Sequence, residues 1–521
     1  MIVPLALFAA VPLRAVAEPP TFANPLDAKV ADPDIILWEG TYYLYGTLAD
    51  PRRVVEGFPV WTSQDLVDWR ERGLALRNAG DRWGQFWFWG PDLVRHGGRW
   101  LMYYGAFRQA GGARVGRICV AQSESPLGPF TDVRAPLFET DRGDAIDAEV
   151  FVDDDGAAYI FYTITDHGRN TIHVAPLADD RLSLAAEPKQ ILQPDQPWET
   201  YPVNEGAFVT KRGGKYVLLY AANDFRMPDY CVGCATADSP LGPWRKRTPG
   251  PVVAQRGDLR GPGCLGLIPS PDGAELFAYY HVHLGPEGYV RQLAIDRARL
   301  VEDGEIGVRL EVDGPTAELQ PWPSGAPLPP SGRSDDFGAP LDRSRWMVVD
   351  EAPESIRVAE GRLHLTTLDG DMHRSRADYR NLLLQHAPPG DFAIAARAFV
   401  SAGAEFEQAF ICVWQDADNY ARLSSVFSGG GLSLDAALEI GGEYVSTSLP
   451  RLESGPVTLR IARRGNAYSF AAKEEAGEWR AVGPTREAAL RDVRVGLGAI
   501  SPGSGQRRPA WFDDFVIGPP P

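Results

Sequence analysis

The 521-residue chain is short of several things, and each shortage narrows what it can be. It has only five cysteines, Cys119, Cys231, Cys234, Cys264 and Cys412, and an odd, sparse set is not a disulfide framework. Cys231-x-x-Cys234 has the spacing of a metal or redox pair but no second pair. Positions three apart on a strand face opposite ways, so these two read as buried free thiols. Helical periodicity is nearly missing; residues 486–491 offer one or two turns at most. Positive charge is in deficit, with 52 Lys and Arg against 69 Asp and Glu. The net charge of −17 argues against nucleic acid or an anionic membrane surface as a partner. Past the N-terminus no stretch is long and apolar enough to span a bilayer. Residues 1–17 are mostly apolar and end in Ala15-Val16-Ala17, the pattern of a secretory signal peptide. That predicts a secreted or periplasmic protein.

What the chain does have is aromatic residues (14 Trp, 18 Tyr, 22 Phe), abundant Gly and Pro, and a repeated phrase. The phrase runs Gly40-Thr41-Tyr42-Tyr43-Leu44-Tyr45, then Gly98-Arg99-Trp100-Leu101-Met102-Tyr103, then Gly156-Ala157-Ala158-Tyr159-Ile160-Phe161. It returns as Gly214-Lys215-Tyr216-Val217-Leu218-Leu219 and Gly273-Ala274-Glu275-Leu276-Phe277-Ala278. Each copy is a turn Gly followed by an apolar run, the second strand of a hairpin. An apolar first strand precedes each one, at 33–37, 91–94, 148–152, 206–209 and 264–268. Ser-Pro-Leu-Gly-Pro occurs at 125–129 and again at 239–243. A period of roughly 58 residues belongs to propellers and arrays. Five four-stranded units around an axis make a five-bladed β-propeller.

Residues 22–312 are therefore assigned to the propeller. Residues 313–334, rich in Pro, Gly and Ser, read as a semi-rigid linker. From 335 to 518 short alternating strands separated by turns predict a second, β-sandwich (jelly-roll-like) domain. The expected fold class is all-β throughout.

In a propeller the innermost strands line the central channel. Counting back about ten positions from the aromatic of each phrase gives Asp32, Gly90, Asp147, Glu205 and Cys264. Three carboxylates from three blades thus converge on one mouth, where crowded like charges shift proton affinities. One carboxylic acid and one carboxylate across a channel suit glycosidic bond hydrolysis. Trp87-Phe88-Trp89 offers rings on which flat sugar faces stack. His281 and His283 alternate on one strand, so only one can face the channel, and a packing role stands beside an ion site. Asp153-Asp154-Asp155-Gly156 has a calcium-loop look, but it falls on a hairpin turn and reads as turn acids.

The order and spelling of these segments carry a resemblance. Ala31-Asp32-Pro33-Asp34, Trp89-Gly90-Pro91-Asp92, Ile146-Asp147-Ala148-Glu149 and Asn204-Glu205-Gly206-Ala207-Phe208 resemble the family 43 glycoside hydrolases, five-bladed propeller enzymes. The resemblance implies Asp32 as general base, Glu205 as general acid, and Asp147 as the acid that tunes and orients Glu205. It implies an inverting glycosidase acting on α-L-arabinofuranoside, β-D-xyloside or galactan-type linkages of plant glycans. Arg291 falls near an Arg that many relatives aim at the substrate, and Trp87, Trp89 and His281 complete the expected carbohydrate contacts. No cofactor is required on this resemblance. A structural calcium is the one ion it raises, but Cys264 stands where many relatives carry a His near an axial ion. His281 and His283 are the imidazoles left to compensate. The C-terminal region resembles the concanavalin-like sandwiches appended to such enzymes. A non-catalytic glycan-binding propeller and a phosphate-dependent propeller enzyme are the competing readings.

Overall fold

The computed structural model describes residues 21–521 except 49–56, 79, 81, 284–288, 328–331, 344, 375, 452–454 and 476. The leader expected at 1–17 and most of the first blade loop lie outside the described residues. Residues 22–327 form one compact unit, and residues 328–521 make up the body of a second.

The first unit is five four-stranded antiparallel sheets, each built from consecutive strands. Their inner strands are Val30–Trp38, Phe86–His96, Asp144–Val152, Asn204–Arg212 and Gly263–Pro269. The repeated phrase forms the second strand of every blade. Arg99–Ala110, for example, is buried over most of its length on both faces. A neighbouring blade covers each side, which is why these strands read as continuous apolar runs rather than alternating ones. No strand is exchanged to close the ring. Instead the segment ahead of blade one is stitched to blade five: Leu26 N–H donates to Leu293 O (2.7 Å) and Leu293 N–H to Ala28 O (3.0 Å). The Asn24 side chain donates to Ile295 O (2.8 Å).

The stretch read as linker behaves differently up to Pro327. Trp322 is buried in the cluster of Phe22, Leu26, Tyr42, Phe277 and Leu293. Ser324 is hydrogen-bonded to Ser270 (3.0 Å) and Asp272 (2.7 Å). These residues are docked onto the propeller; the buried Trp322 ring and the Ser324 hydrogen bonds outweigh the flexibility that Pro and Gly suggest.

The second unit is a sandwich of a seven-stranded and an eight-stranded antiparallel sheet. Between them lies one core that includes Leu363, Ile394, Ile411, Leu423, Leu459, Phe470, Leu497 and Phe512. The one or two helical turns considered at 486–491 are not formed; Arg486–Glu487 pairs as a short strand with Ala467 and Tyr468. Among the described residues no helix is long and apolar enough to cross a membrane.

Candidate active site

Every inner strand of the propeller carries one extra residue relative to its partner at the same height. The pairing steps from Ala31 to Asp34, Trp89 to Asp92, Ile146 to Glu149, Glu205 to Phe208 and Gly263 to Gly266, against two residues on the second strand. Each step is a β-bulge, a device that bends a strand and re-aims a side chain. The bulged residue is left-handed in all five blades: Asp32 (φ 47°), Gly90 (50°), Asp147 (51°), Gly206 (54°) and Cys264 (49°). Three of the five are not glycine, and such strain is characteristic of functional sites. The five residues line one cavity on the propeller axis.

This register corrects the residue counting. The position equivalent to Asp32 and Asp147 in blade four is Gly206, not Glu205. Glu205 sits one place earlier, level with Ala31, Trp89, Ile146 and Gly263, and reaches the site from the strand beside the bulge.

Asp32 is held by donors on all sides. Thr47 Oγ1 donates to its Oδ2 (2.6 Å), and Arg291 Nη1 donates to Oδ1 (3.0 Å). The Cys264 thiol donates to Oδ1 (3.3 Å). Its own backbone N–H donates to His281 Nδ1 (3.1 Å). Burial would raise its proton affinity, but Arg291, His281, Thr47 and Cys264 together hold the carboxyl below the ordinary carboxylate range. Glu205 is set the other way. Asn170 Nδ2 donates to Oε2 (2.6 Å) and the Tyr230 hydroxyl to Oε1 (2.8 Å). Burial outweighs both donors and pushes its carboxyl up to about 7. Asp147 is pushed well above the usual range, first by burial and then by Glu205 and Asp32. Burial is likewise the first cause of the rise at Glu205, ahead of the Asp32 charge.

The remaining candidates separate. Trp87, at a second bulge (φ 51°), and Trp89 lie stacked with ring centroids 5.4 Å apart and planes within 10°. Trp87 is 40% exposed and forms an aromatic rim with Phe107 and the Arg114 guanidinium. Arg291 is engaged with Asp32 and lies over the Phe225 ring (5.1 Å). His281, expected among the carbohydrate contacts, is fully buried (0% exposed) and supports Asp32 from behind. His283 is also buried, packed so tightly that a β-carbon on Gly261 would fall 2.0 Å from its Nε2. Thr47, Asn170 and Tyr230 escaped the sequence reading. Pairing the blade-one hairpin residue by residue puts Thr47 opposite Ala31 and would have found it; Asn170 and Tyr230 carry no local signal. A further support is the buried Lys246, which donates to Glu199 Oε1 (2.7 Å), Gln193 O (2.6 Å) and Asn204 Oδ1 (2.7 Å) and so pins the segment entering Glu205.

The chemistry of the axis does not fit calcium at Cys264. Asp32, Cys264 and His281 bring potential ligand atoms within 4.8 Å of one another. However, sulfur and imidazole are poor partners for a hard, oxygen-seeking cation, and Asp32 Oδ1 already accepts from a guanidinium and a thiol. The acids at 153–154 are taken too: Lys211 Nζ lies 2.6 Å from Asp153 and 2.9 Å from Asp154. Cys231 and Cys234 are buried and free.

Comparison with known proteins places this geometry. Residues 22–306 match glycosyl hydrolases family 43, and residues 334–517 match the beta xylosidase C-terminal concanavalin A-like domain. A beta-D-galactofuranosidase of Aspergillus niger is 28% identical over 294 residues, covering 53% of this chain and 81% of that protein. An extracellular exo-alpha-(1->5)-L-arabinofuranosidase of Streptomyces chartreusis is 29% identical over 289 residues, covering 51% and 84%. The crystal structure of a thermostable family-43 glycoside hydrolase superposes with a TM-score of 0.53 at 38% identity, over 58% of this chain and all of that one. The family 43 BlXynB protein of Bacillus licheniformis shares the fold over 95% of this chain and 99% of its own (TM-score 0.58, 23% identity). With more than half of its length matched and the propeller and sandwich in the same order, the chain belongs to glycosyl hydrolases family 43.

Proposed function

We propose that this glycoside hydrolase works by inversion, with Glu205 as general acid, Asp32 as general base and Asp147 as a neutral carboxyl that orients the acid. The observation that carries the reading is the opposite setting of two neighbouring carboxyls, Asp32 pulled down and Glu205 pushed up to about 7. Environments that drive two carboxyls apart assign acid and base. In the mechanism Glu205 gives its proton to the leaving oxygen while Asp32 takes one from a water on the opposite sugar face. Laid end to end, the contacts of 3.3 Å, 3.8 Å and 2.8 Å through Cys264 and Tyr230 cap the Asp32–Glu205 oxygen separation at about 10 Å, which accommodates the roughly 6.5–9.5 Å of an inverting pair.

The substrate is an α-L-arabinofuranoside or β-D-xyloside. The names of the relatives favour the furanoside, because α-L-arabinofuranose and β-D-galactofuranose share a ring configuration and differ in the exocyclic arm. The stacked Trp87 and Trp89 supply an apolar face at the rim. Hydrolysis runs through no metal on this reading. A phosphate-dependent reaction would need free cations at the mouth, and Arg291 is occupied by Asp32. Export through residues 1–17 belongs to the same proposal; the N-terminal sequence of protein recovered from the medium tests it.

The deciding experiment is hydrolysis of aryl α-L-arabinofuranoside, β-D-xyloside and β-D-galactofuranoside, with the anomer of the first-formed product read by proton NMR. Inverted product from one of the three, Asp32→Ala inactive on it, and Glu205→Ala retaining more activity on aryl than on natural glycosides bear the proposal out. Retained configuration, or full activity in Asp32→Ala, overturns it.

A further inference from the structure

Cys264 occupies a position whose backbone is left-handed in every blade, yet it is neither a glycine nor a carboxylate. Its thiol proton affinity is pushed well up by burial and by the neighbouring Asp32, Asp147 and Glu205, so the group is an S–H donor rather than a thiolate. Three contacts fix it. Sγ donates to Asp32 Oδ1 (3.3 Å). It lies 3.8 Å from the Tyr230 hydroxyl, which in turn donates to Glu205 Oε1 (2.8 Å). It also fills the space in front of Gly206, where a β-carbon would fall 2.7 Å from Sγ. Tyr230 is itself clamped: its ring stacks on His281 (5.9 Å, planes within 8°), and a β-carbon on Gly263 would stand 2.0 Å from it.

We propose that Cys264 is a positioning residue for hydrolysis: with Tyr230, which it touches, it forms a strap of two separate donors, the thiol to the carboxylate of Asp32 in blade one and the hydroxyl to the carboxyl of Glu205 in blade four. The inference rests on the assignment of Asp32 as base and Glu205 as acid. The strap joins Cys264 of blade five, the blade between those two in the closed ring, to Tyr230 in the loop ahead of the third strand of blade four. It gives each carboxylate a donor without placing another charge between them. The charged and titratable groups around it are Arg291 and His281 on the Asp32 side and Asp147 beside Glu205. Neither Cys264 nor Tyr230 adds a formal charge to that set. Ser at position 264 keeps a donor; Ala keeps only the volume of the β-carbon.

The two halves of the strap act on opposite limbs of the pH profile. The thiol stabilises the ionised base, so Cys264→Ala moves the acid limb of kcat/KM upward and leaves the alkaline limb in place. On the acid side the loss is about five-fold, the value of one weak donor to a charged acceptor. Cys264→Ser restores the limb. The Tyr230 hydroxyl stabilises ionised Glu205, so Tyr230→Phe moves the alkaline limb upward and leaves the acid limb in place. The measurement is kcat/KM across pH for the wild type and these three variants, each checked for an unchanged melting temperature. A variant that melts early is replaced by its partner in the strap. A uniform loss at every pH in Cys264→Ala, or identical profiles for Ala and Ser, makes the thiol a space-filler and overturns the inference. Full activity in Asp32→Asn and Glu205→Gln would instead overturn the underlying assignment, which keeps the two failures distinct.

Discussion

Two tiers of acids lie on the inner strands, two residues apart in blades one and three, and they differ in what they bind. In the upper tier Asp32 and Glu205 are met by side chains, Thr47, Arg291, Cys264, Asn170 and Tyr230, while Asp147 accepts the Gly206 backbone N–H of the next blade. The lower tier is Asp34, Asp92 and Glu149, and each of these accepts a backbone N–H from the next blade. Leu93 donates to Asp34 (3.0 Å), Val150 to Asp92 (3.1 Å) and Val209 to Glu149 (3.3 Å). Burial raises all three lower carboxyls, Glu149 to about 8, and Asp92 and Glu149 share a hydrogen bond. Burial and a raised proton affinity therefore do not distinguish catalysis from architecture. For the acid–base pair the kind of partner does: the lower acids, like Asp147, take a backbone N–H across blades, while Asp32 and Glu205 are held by side chains, with one carboxyl pulled down and the other left raised.

Amide replacement separates the tiers most sharply. Asp32→Asn and Glu205→Gln should each lower kcat/KM by about 10²–10⁴-fold, the worth of a general acid or base, at an almost unchanged melting temperature. Asp92→Asn should keep activity per folded molecule, because an amide donates to Glu149 and accepts from Val150 as the protonated acid does. Equal losses in both tiers would erase the distinction. Truncation reverses the order: Asp34→Ala leaves the buried Leu93 N–H without an acceptor and should cost about 1–3 kcal/mol in denaturant unfolding.

The tiers also respond differently to pH. A carboxyl whose folded proton affinity is raised stabilises the fold fully below its unfolded value, and that stability is lost as pH rises through the folded value. For Glu149 the window runs from 4.5 to about 8. The melting temperature of the wild type should fall across it, and that of Glu149→Gln should fall less. Activity should decline on the alkaline side near 7 as Glu205 loses its proton, and Glu149→Gln should leave that limb where it is. The smallest effect belongs to the rim outside both tiers. Trp87→Ala should raise KM a few-fold with kcat unchanged, read on natural oligosaccharides.

The architecture was legible in the sequence because the phrase Gly-x-aromatic repeats, and repetition survives any uncertainty about where a strand begins. The three acids were legible because they stand before Pro33, Ala148 and Gly206 in segments of distinctive spelling. Their exact geometry was not. A count of about ten residues is good only to a place or so, and Glu205 was put in the slot that Gly206 fills. The strand reading allowed only one of His281 and His283 to face the channel; His281 is the one that meets Asp32, and both are buried. Asn170 comes from a third strand and Tyr230 from the loop before one, neither marked by the repeat, and only folding brings them to Glu205. Composition misled at 313–327, where Trp322 outweighed the prolines around it.

The five left-handed bulges set a limit on how this axis can change. A β-carbon on Gly90 would stand 3.0 Å from Asp147 Oδ1, and one on Gly206 would stand 2.7 Å from the Cys264 sulfur. Asp147 and Cys264 thus each occupy the room of two slots, their own and a neighbour's. The ring has five seats but space for three occupants, and a newcomer at either glycine would have to evict a resident. Diversification at the axis must proceed by exchange, as the Cys at 264 illustrates, while additions are confined to the outer rim where Trp87 already stands.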